Sequence, residues 1–126
     1  MKRRRILLVD DEPGFTKIVK LILEERYGYE VREENNPTRA LQDAREFSPN
    51  IILLDVVMPR MDGGEVYAQL KADPVLRHIP VIFITAIVDE REVSERAGII
   101  GGAVFMSKPV RINDLNERIE THALLS

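Results

Sequence analysis

The 126-residue sequence contains no cysteine and only two histidines, and each shortage excludes a class of chemistry. Without cysteine the chain has no disulfide bond, no zinc site with thiolate ligands and no thiol nucleophile. His78 and His122 are too few for a metal cluster built from histidines. No apolar run approaches the roughly 20 residues that a membrane-spanning helix needs. These absences favour a cytoplasmic protein without a membrane partner.

Charge is also modest, because the formal net charge of the chain is −3. Such a charge gives no general attraction to nucleic acid, and we expect no direct nucleic-acid partner. The basic run Lys2–Arg5 is followed only by the short apolar run Ile6–Val9 and then by acidic residues, whereas a signal peptide needs a longer apolar segment. With 44% hydrophobic and 31% charged residues, the sequence predicts a single domain over residues 1–126.

Short apolar runs bounded by polar or turn residues recur along the chain. Their length and continuity predict strands that are buried on both faces, as in parallel sheets. The runs are Ile6–Val9, Ile51–Leu54, Val81–Ile84 and Ala103–Met106. A further segment, Tyr29–Glu34, alternates apolar and polar residues instead, which predicts an edge strand with one wetter face.

Helical patterns separate these strands. Phe15, Ile18, Val19 and Ile22 have the spacing of an amphipathic helix, and Gly28 ends it. Four further helices are predicted at Pro37–Phe47, Gly63–Ala72, Asp89–Ala97 and from Ile112 nearly to the end. A strand followed by a helix, repeated five times, predicts an α/β fold with helices on both faces of the sheet. We expect a doubly wound, five-stranded parallel sheet of order 2-1-3-4-5, the flavodoxin-like arrangement.

Polar residues follow the predicted strands at the places where ligands bind in such sheets. Asp10 and Asp11 follow the first strand, and Asp55 follows the third. Thr85 follows the fourth strand, and Lys108 follows the fifth. Because the carboxyl ends of parallel strands meet at one edge, these side chains are expected to converge.

This combination favours phosphoryl-transfer chemistry. Clustered carboxylates repel one another, and a hard divalent cation such as Mg²⁺ relieves the repulsion. An aspartate also acts as a nucleophile toward phosphorus, while a lysine supplies positive charge and a threonine hydroxyl donates a hydrogen bond. Taken singly, Asp10, Thr85 or Lys108 would be read as an ordinary turn or solvated residue. The hypothesis depends on their joint placement.

Four motifs in this order resemble the receiver domain of bacterial two-component response regulators, and the resemblance covers essentially the whole chain. They are Ile6–Glu12, Leu54–Gly63, Ile84–Ala86 and Ser107–Pro109. The resemblance implies that Asp55 is the phosphoacceptor. It also implies that Mg²⁺, or Mn²⁺, is held by Asp10, Asp11, Asp55 and the backbone carbonyl of Val57.

The remaining roles implied by the resemblance concern switching. Lys108 would pair with the phosphoryl group, and Thr85 would move toward it. Phe105 occupies the position of the switch aromatic residue, where many members have tyrosine, and would turn inward as Thr85 moves. The Lys108–Pro109 peptide bond is expected to be cis.

The implied phosphodonor is a sensor histidine kinase or a histidine phosphotransfer protein. The implied downstream protein partner binds the face formed by the fourth helix, the fifth strand and the last helix. Such a protein assists only its own phosphorylation and dephosphorylation, and is not an enzyme acting on an external substrate. The chain is either a stand-alone receiver or one domain of a larger regulator.

Other functions fit the sequence less well. A receiver-like binding module that is never phosphorylated remains open. A phosphohydrolase with an aspartyl nucleophile after the first strand is disfavoured, because Glu12 stands where a second aspartate would be expected. A flavin or nucleotide carrier is disfavoured because the acidic first loop would repel phosphate.

Overall fold

The computed structural model describes residues 3–86, 99–100 and 103–124, and its strands form one sheet. The strand order is β2-β1-β3-β4-β6-β5. The bounds are β1 Arg5–Val9, β2 Glu30–Glu34, β3 Ile51–Leu54, β4 Val81–Thr85, β5 Ile99–Ile100 and β6 Ala103–Ser107. The five longer strands pair in parallel, so the predicted order 2-1-3-4-5 is confirmed, with β2 at one edge.

One strand was not predicted. β5 pairs antiparallel with β6, where Ile99 lies opposite Val104 and Ile100 opposite Ala103. A strand of two residues gives no alternation that a sequence pattern reveals. It adds a short outer strand beside the last parallel one.

The described helices are α1 Pro13–Tyr27, α2 Ala40–Phe47, α3 Gly63–Ala72 and α4 Ile112–His122. They match four of the five predicted helices, and the predicted helix at residues 89–97 lies outside the described residues. The segment Pro37–Arg39, predicted as the first turn of a helix, is a separate 3₁₀ turn. None of the described helices is long and apolar enough to span a membrane.

The buried face of α1 only partly matches the predicted one, because Val19 is buried as expected but Ile18 is not. Ile18 was placed on the apolar stripe, but it is 61% exposed, whereas Thr16 and Leu23 are buried. The Thr16 hydroxyl donates a hydrogen bond to the Glu33 carboxylate (2.6 Å), which makes burial of this polar side chain acceptable. The burial of Thr16 was missed because an apolar pattern does not count threonine as a core residue.

Two apolar layers cover the two faces of the sheet. Leu7, Val9, Ile52 and Leu54 point toward α2 and α3, while alternate residues such as Leu8 point toward α1 and α4. Because both faces are buried, the central strands contain continuous apolar runs rather than alternating ones. With the faces of the central strands covered, their ends are the places where these strands carry polar residues.

Candidate functional site

Asp10 and Asp55 lie side by side where two neighbouring strands end. β1 pairs with β3 so that Val9 lies opposite Leu54, and each aspartate directly follows its strand. The Asp55 amide donates a hydrogen bond to the Val9 carbonyl (3.0 Å), which extends the ladder into the site. Asp10 is 1% exposed and Asp55 is 5% exposed. Two carboxyl groups are thus held beside each other almost without water.

The acidic group is larger than these two residues. One carboxylate oxygen from each of Asp10, Asp11, Glu12 and Asp55 lies within 4.8 Å of the others. Asp11 is half-buried and Glu12 is exposed, so the group is open on one side. Hard oxygen donors gathered in this way suit Mg²⁺ or Mn²⁺, which favour carboxylate and water ligands. The donor set fits the predicted cation.

Burial dominates the electrostatics of Asp55. It raises the pKa of this carboxyl group to about 6, and repulsion from Asp10 adds to the rise. The positive charge of Lys108 and a hydrogen bond from the Val57 amide oppose the increase. Burial raises the pKa of Asp10 as well, against the opposing effect of Lys108. The site therefore stores electrostatic repulsion that a cation would relieve.

Lys108 supplies the positive charge of the site. Its Nζ lies 2.8 Å from Asp10 Oδ2, 2.9 Å from Glu12 Oε1 and 3.7 Å from Asp55 Oδ2. Burial lowers the pKa of Lys108, but its contacts with Asp10 and Glu12 raise it by more. The amine therefore stays protonated, and it lies closer to its two neighbours than to Asp55.

The backbone places Lys108 beside Thr85, where the neighbouring strands β4 and β6 end. Its amide donates a hydrogen bond to the Thr85 carbonyl (3.0 Å), and the following peptide bond to Pro109 is cis, as expected. Thr85 is the last residue of β4, lies opposite Ser107 and is fully buried. Thr85 therefore ends the strand next to the one that Lys108 follows, and Lys108 lies beside the acidic group.

Phe105 lies within β6, farther from the end of the strand than Lys108. It faces Phe83 of β4, and the two rings stack with centroids 4.9 Å apart at an interplanar angle of 20°. Tyr67 of α3 also contacts Phe83, with centroids 5.2 Å apart. The ring of Phe105 is therefore linked through Phe83 to the helix that follows the Asp55 loop. Its role as a switch remains a prediction.

A hydrogen bond from the start of α3 holds the loop that follows Asp55. The Gly63 amide donates a hydrogen bond to the Val56 carbonyl (2.8 Å), and the Asp62 side chain caps the helix by accepting from the Glu65 amide (2.8 Å). The Val57 side chain is 55% exposed, and its amide is bonded to the Asp55 carboxylate. Metal binding by the Val57 carbonyl remains a prediction.

Sequence reasoning missed two partners of Lys108. Glu12 forms an ion pair with it, and the Phe15 ring lies beneath its ammonium group, with Nζ 4.5 Å from the ring centroid. Glu12 was noticed only as the end of an acidic motif, and Phe15 only as an apolar helix residue. Both residues lie at the start of α1, next to Asp10 and Asp11, and this position was the signal that the sequence offered. Nothing near Lys108 in the sequence indicated that it would contact them.

Comparison with known proteins shows similarity to one protein family over most of the chain. A family model described as the response regulator receiver domain matches residues 6–120. The chain is 34% identical over 119 residues to the polar-differentiation response regulator DivK of Brucella anthropi, covering 94% of this chain and 95% of DivK. It is 42% identical over 106 residues to the response regulator PleD of Caulobacter vibrioides, covering 84% of this chain. The matched part is 23% of PleD, so the chain corresponds to about a quarter of that relative.

Among solved structures, the chain is similar to the signal receiver domain of a signal transduction histidine kinase from Syntrophus aciditrophicus. The TM-score is 0.76 at 32% identity, with coverage of 94% of this chain and 88% of the other. The sequence similarity and the fold similarity therefore each extend over most of the chain.

Proposed function

Because the chain belongs to the response regulator receiver domain family, we propose that it is a signalling switch in which Asp55 accepts a phosphoryl group from a sensor histidine kinase or a histidine phosphotransfer protein. We also propose that residues 1–126 act as one receiver domain. The observation that carries the proposal is the burial of Asp55 between Asp10 and Lys108 at the end of β3. A nucleophile, an acidic group and a cation are thus present in one place.

The proposed transfer is a direct displacement at phosphorus. A carboxylate oxygen of Asp55 forms the new P–O bond, the P–N bond to the donor histidine breaks, and the leaving imidazole nitrogen takes up a proton. Lys108 pairs with the phosphoryl oxygens, which it can reach because its Nζ is 3.7 Å from Asp55 Oδ2. Hydrolysis of the resulting acyl phosphate returns the free carboxylate.

Asp10, Asp11, Asp55 and the Val57 carbonyl would hold Mg²⁺, or Mn²⁺. The bound cation would neutralise charge between the carboxylates and the phosphoryl oxygens, where phosphoryl transfer most needs it. The closeness of the acidic oxygens, all within 4.8 Å, supports this assignment.

Phosphorylation would act by shifting a conformational equilibrium. It can do so only to the extent that the phosphoryl group stabilises one conformation more than the other. A contact from the Thr85 hydroxyl and the contact from Lys108 would supply this difference, and Phe105 would carry it outward. The proposed downstream partner binds the face that contains the predicted helix at residues 89–97, β6 and α4.

Intact mass spectrometry tests the proposal. The protein is incubated with Mg²⁺ and acetyl phosphate as the wild type, as Asp55→Asn and as Asp114→Asn, which changes an exposed acid on α4. We expect a gain of one phosphoryl group in the wild type and in Asp114→Asn, dependent on Mg²⁺ and absent from Asp55→Asn. The proposal fails if acetyl phosphate gives no gain and beryllofluoride gives no Mg²⁺-dependent spectral change. A binding module that is never phosphorylated would then be the better explanation.

A further inference from the structure

The ammonium group of Lys108 is surrounded by partners of two kinds. On one side lie the carboxylates of Asp10 and Glu12, at 2.8 Å and 2.9 Å. On another side lies the face of the Phe15 ring, 4.5 Å from Nζ to the centroid. The Lys108 side chain is only 13% exposed, so these groups replace most of its water.

The Phe15 ring is half-buried between the core and an open groove. It lies in the first turn of α1 and packs against the core layer formed by α1, α4 and the sheet. It also lines an apolar groove together with Ile18, Pro109 and Ile112. An aromatic face held in this way restricts where the ammonium can go without offering a hydrogen bond of its own.

The two kinds of partner differ in how strictly they fix the ammonium. The ion pair with Glu12 is also a hydrogen bond, which needs a short distance and good alignment. The contact with Asp10 Oδ2 is a close ion pair without hydrogen-bond geometry, and a cation–π contact tolerates separations up to about 6 Å from the centroid. Nζ can therefore shift from Asp10 and Glu12 toward Asp55, now 3.7 Å away, while it stays over the ring. An aliphatic side chain of similar volume would give the same packing without this attraction.

We propose that Phe15 is a positioning residue for phosphoryl transfer, whose ring holds the Lys108 ammonium within reach of both Asp10 and the phosphoryl group on Asp55. This proposal rests on the proposed function, because it names a residue that prepares Lys108 for that reaction. Phe15 contacts no reacting atom and acts only through Lys108.

The principal test compares Phe15→Leu, Phe15→Tyr and Phe15→Trp with the wild type. Phosphorylation of Asp55 is followed over a range of acetyl phosphate concentrations at saturating Mg²⁺. We expect Phe15→Leu to lower the maximal rate by roughly three- to tenfold, the size expected for a partly desolvated cation–π contact, with a smaller change in half-saturation. Tyrosine and tryptophan, which keep an aromatic face, should restore most of the rate.

Phe47→Leu is the matched control. Phe47 also receives a cation on its ring, since Arg5 Cζ lies 5.4 Å from its centroid, but it lies at the end of α2 away from the acidic group. This variant should phosphorylate at the wild-type rate. A wild-type rate in Phe15→Leu, or an equal loss in Phe15→Leu and Phe15→Tyr, would overturn the proposal.

A second measurement does not depend on how well the leucine variant folds. Site-specific incorporation of fluorinated phenylalanines at position 15 weakens the negative face of the ring with little change in shape. The phosphorylation rate should fall step by step as fluorine is added, and a rate independent of fluorination would exclude the role.

A third measurement reports on the contact itself. The NMR signals of the Lys108 side chain should be displaced by the ring current in the wild type and not in Phe15→Leu. This displacement is observable even if Asp55 were never phosphorylated, so failure of the positioning role and failure of the proposed function can be distinguished.

Discussion

Asp43 is a buried carboxyl group outside the candidate site, and its surroundings resemble those of a protonated acid. Asp43 is 2% exposed, and its Oδ1 forms an ion pair with Arg32 Nη2 at a distance of 2.9 Å. No hydrogen-bond donor among the described residues reaches Oδ2, whereas the carboxyl group of Glu34 lies within hydrogen-bonding reach. Burial and the neighbouring Glu34 raise the pKa of Asp43 to about 6. A proton on Asp43 allows it to donate to Glu34 rather than repel it.

Asp43→Asn should therefore change how stability depends on pH. The pKa of Asp43 is about 6 in the folded chain, above its ordinary 3.8, so the folded state binds more protons between these values. The free energy of unfolding then decreases as pH rises through that window, by about 1–3 kcal/mol in total. Asparagine imitates the protonated acid at every pH. The stability of Asp43→Asn relative to the wild type should therefore be greater at about pH 7.5 than at about pH 4.5, by about 1–2 kcal/mol.

Urea unfolding at the two pH values measures this difference. Asp114→Asn, which removes an exposed carboxyl group on α4, should keep the wild-type slope. An Asp43→Asn variant whose stability follows pH as steeply as the wild type would show that Asp43 does not carry the proton.

At the scale of single residues, the sequence predicted which polar residues meet at the strand ends better than it predicted their individual contacts. Asp10, Asp55 and Lys108 were placed together because each follows a strand, and strand ends can be recognised from short apolar runs. The ion pair of Lys108 with Glu12 spans 96 positions in the sequence. Its formation depends on side-chain reach across the sheet edge, which no periodicity encodes. The contact between Asp43 and Glu34 was equally unpredictable. A helical pattern places Asp43 on one face of α2 but does not reveal that Glu34 lies opposite that face.

At the scale of elements, the start of α3 supports the loop that carries Asp55. A Cβ atom at Gly63 would overlap the carbonyl oxygen of Asp55 and lie 2.8 Å from Val56 Cα. Gly63→Ala should therefore displace this loop and lower the free energy of unfolding by about 1–3 kcal/mol, the usual cost of overpacking. Because the loop positions Asp55, phosphorylation should also slow. Chemical unfolding and the acetyl phosphate assay measure the two effects.

Gly64→Ala is the control for that substitution. Among the described residues, a Cβ atom at Gly64 meets one atom, the Asp62 side-chain oxygen that caps α3, at 3.2 Å, and a shift of a few tenths of an ångström by this side chain relieves the contact more easily than a backbone shift would. Alanine is also the better helix former by roughly 0.8–1.0 kcal/mol. This variant should be at least as stable as the wild type and be phosphorylated normally. If both alanine variants lost stability equally, helix geometry rather than contact with the Asp55 loop would explain the requirement for glycine.

Element boundaries were predictable where one residue type has a distinct physical role. Gly28 ends α1 with a φ of 76°, and Asp62 begins α3 by capping it. The turn at Pro37–Arg39 was less predictable, because a proline in the first turn is compatible with both a 3₁₀ and an α-helical start. The exposure of Ile18 was missed because the pattern cannot tell a core-facing stripe from one that lines an open groove.

At the scale of the whole molecule, distant parts of the chain are tied to one another. Leu115 and Ile119 of α4 are fully buried in the layer shared with α1. The Tyr27 hydroxyl at the end of α1 donates to Asn113 Oδ1 (2.8 Å), and the Leu124 amide donates to the Asn50 carbonyl (3.0 Å). Long-range packing of this kind supports one cooperative domain, so a change at the acidic group should alter the stability of the whole fold.

Mg²⁺ should therefore raise the free energy of unfolding of the entire chain. A cation that binds only the folded state stabilises it by about 2.7 kcal/mol at a concentration one hundred times its dissociation constant. Asp11→Asn should reduce this increment, whereas Glu25→Gln, which changes an exposed acid on α1, should keep it. Urea unfolding with and without Mg²⁺, at matched ionic strength, measures the increment for each variant.

The same increment should depend on pH in a direction set by Asp55. Because burial raises the pKa of this carboxyl group to about 6 in the metal-free fold, protons compete with the cation below that value. The stabilisation by Mg²⁺ should therefore shrink as pH falls from about 7.5 to about 5.5, while a general salt effect would not follow the protonation of one carboxyl group. An increment that is equal at both pH values, or equal in Asp11→Asn and the wild type, would place the cation away from the acidic group and remove its proposed part in phosphoryl transfer.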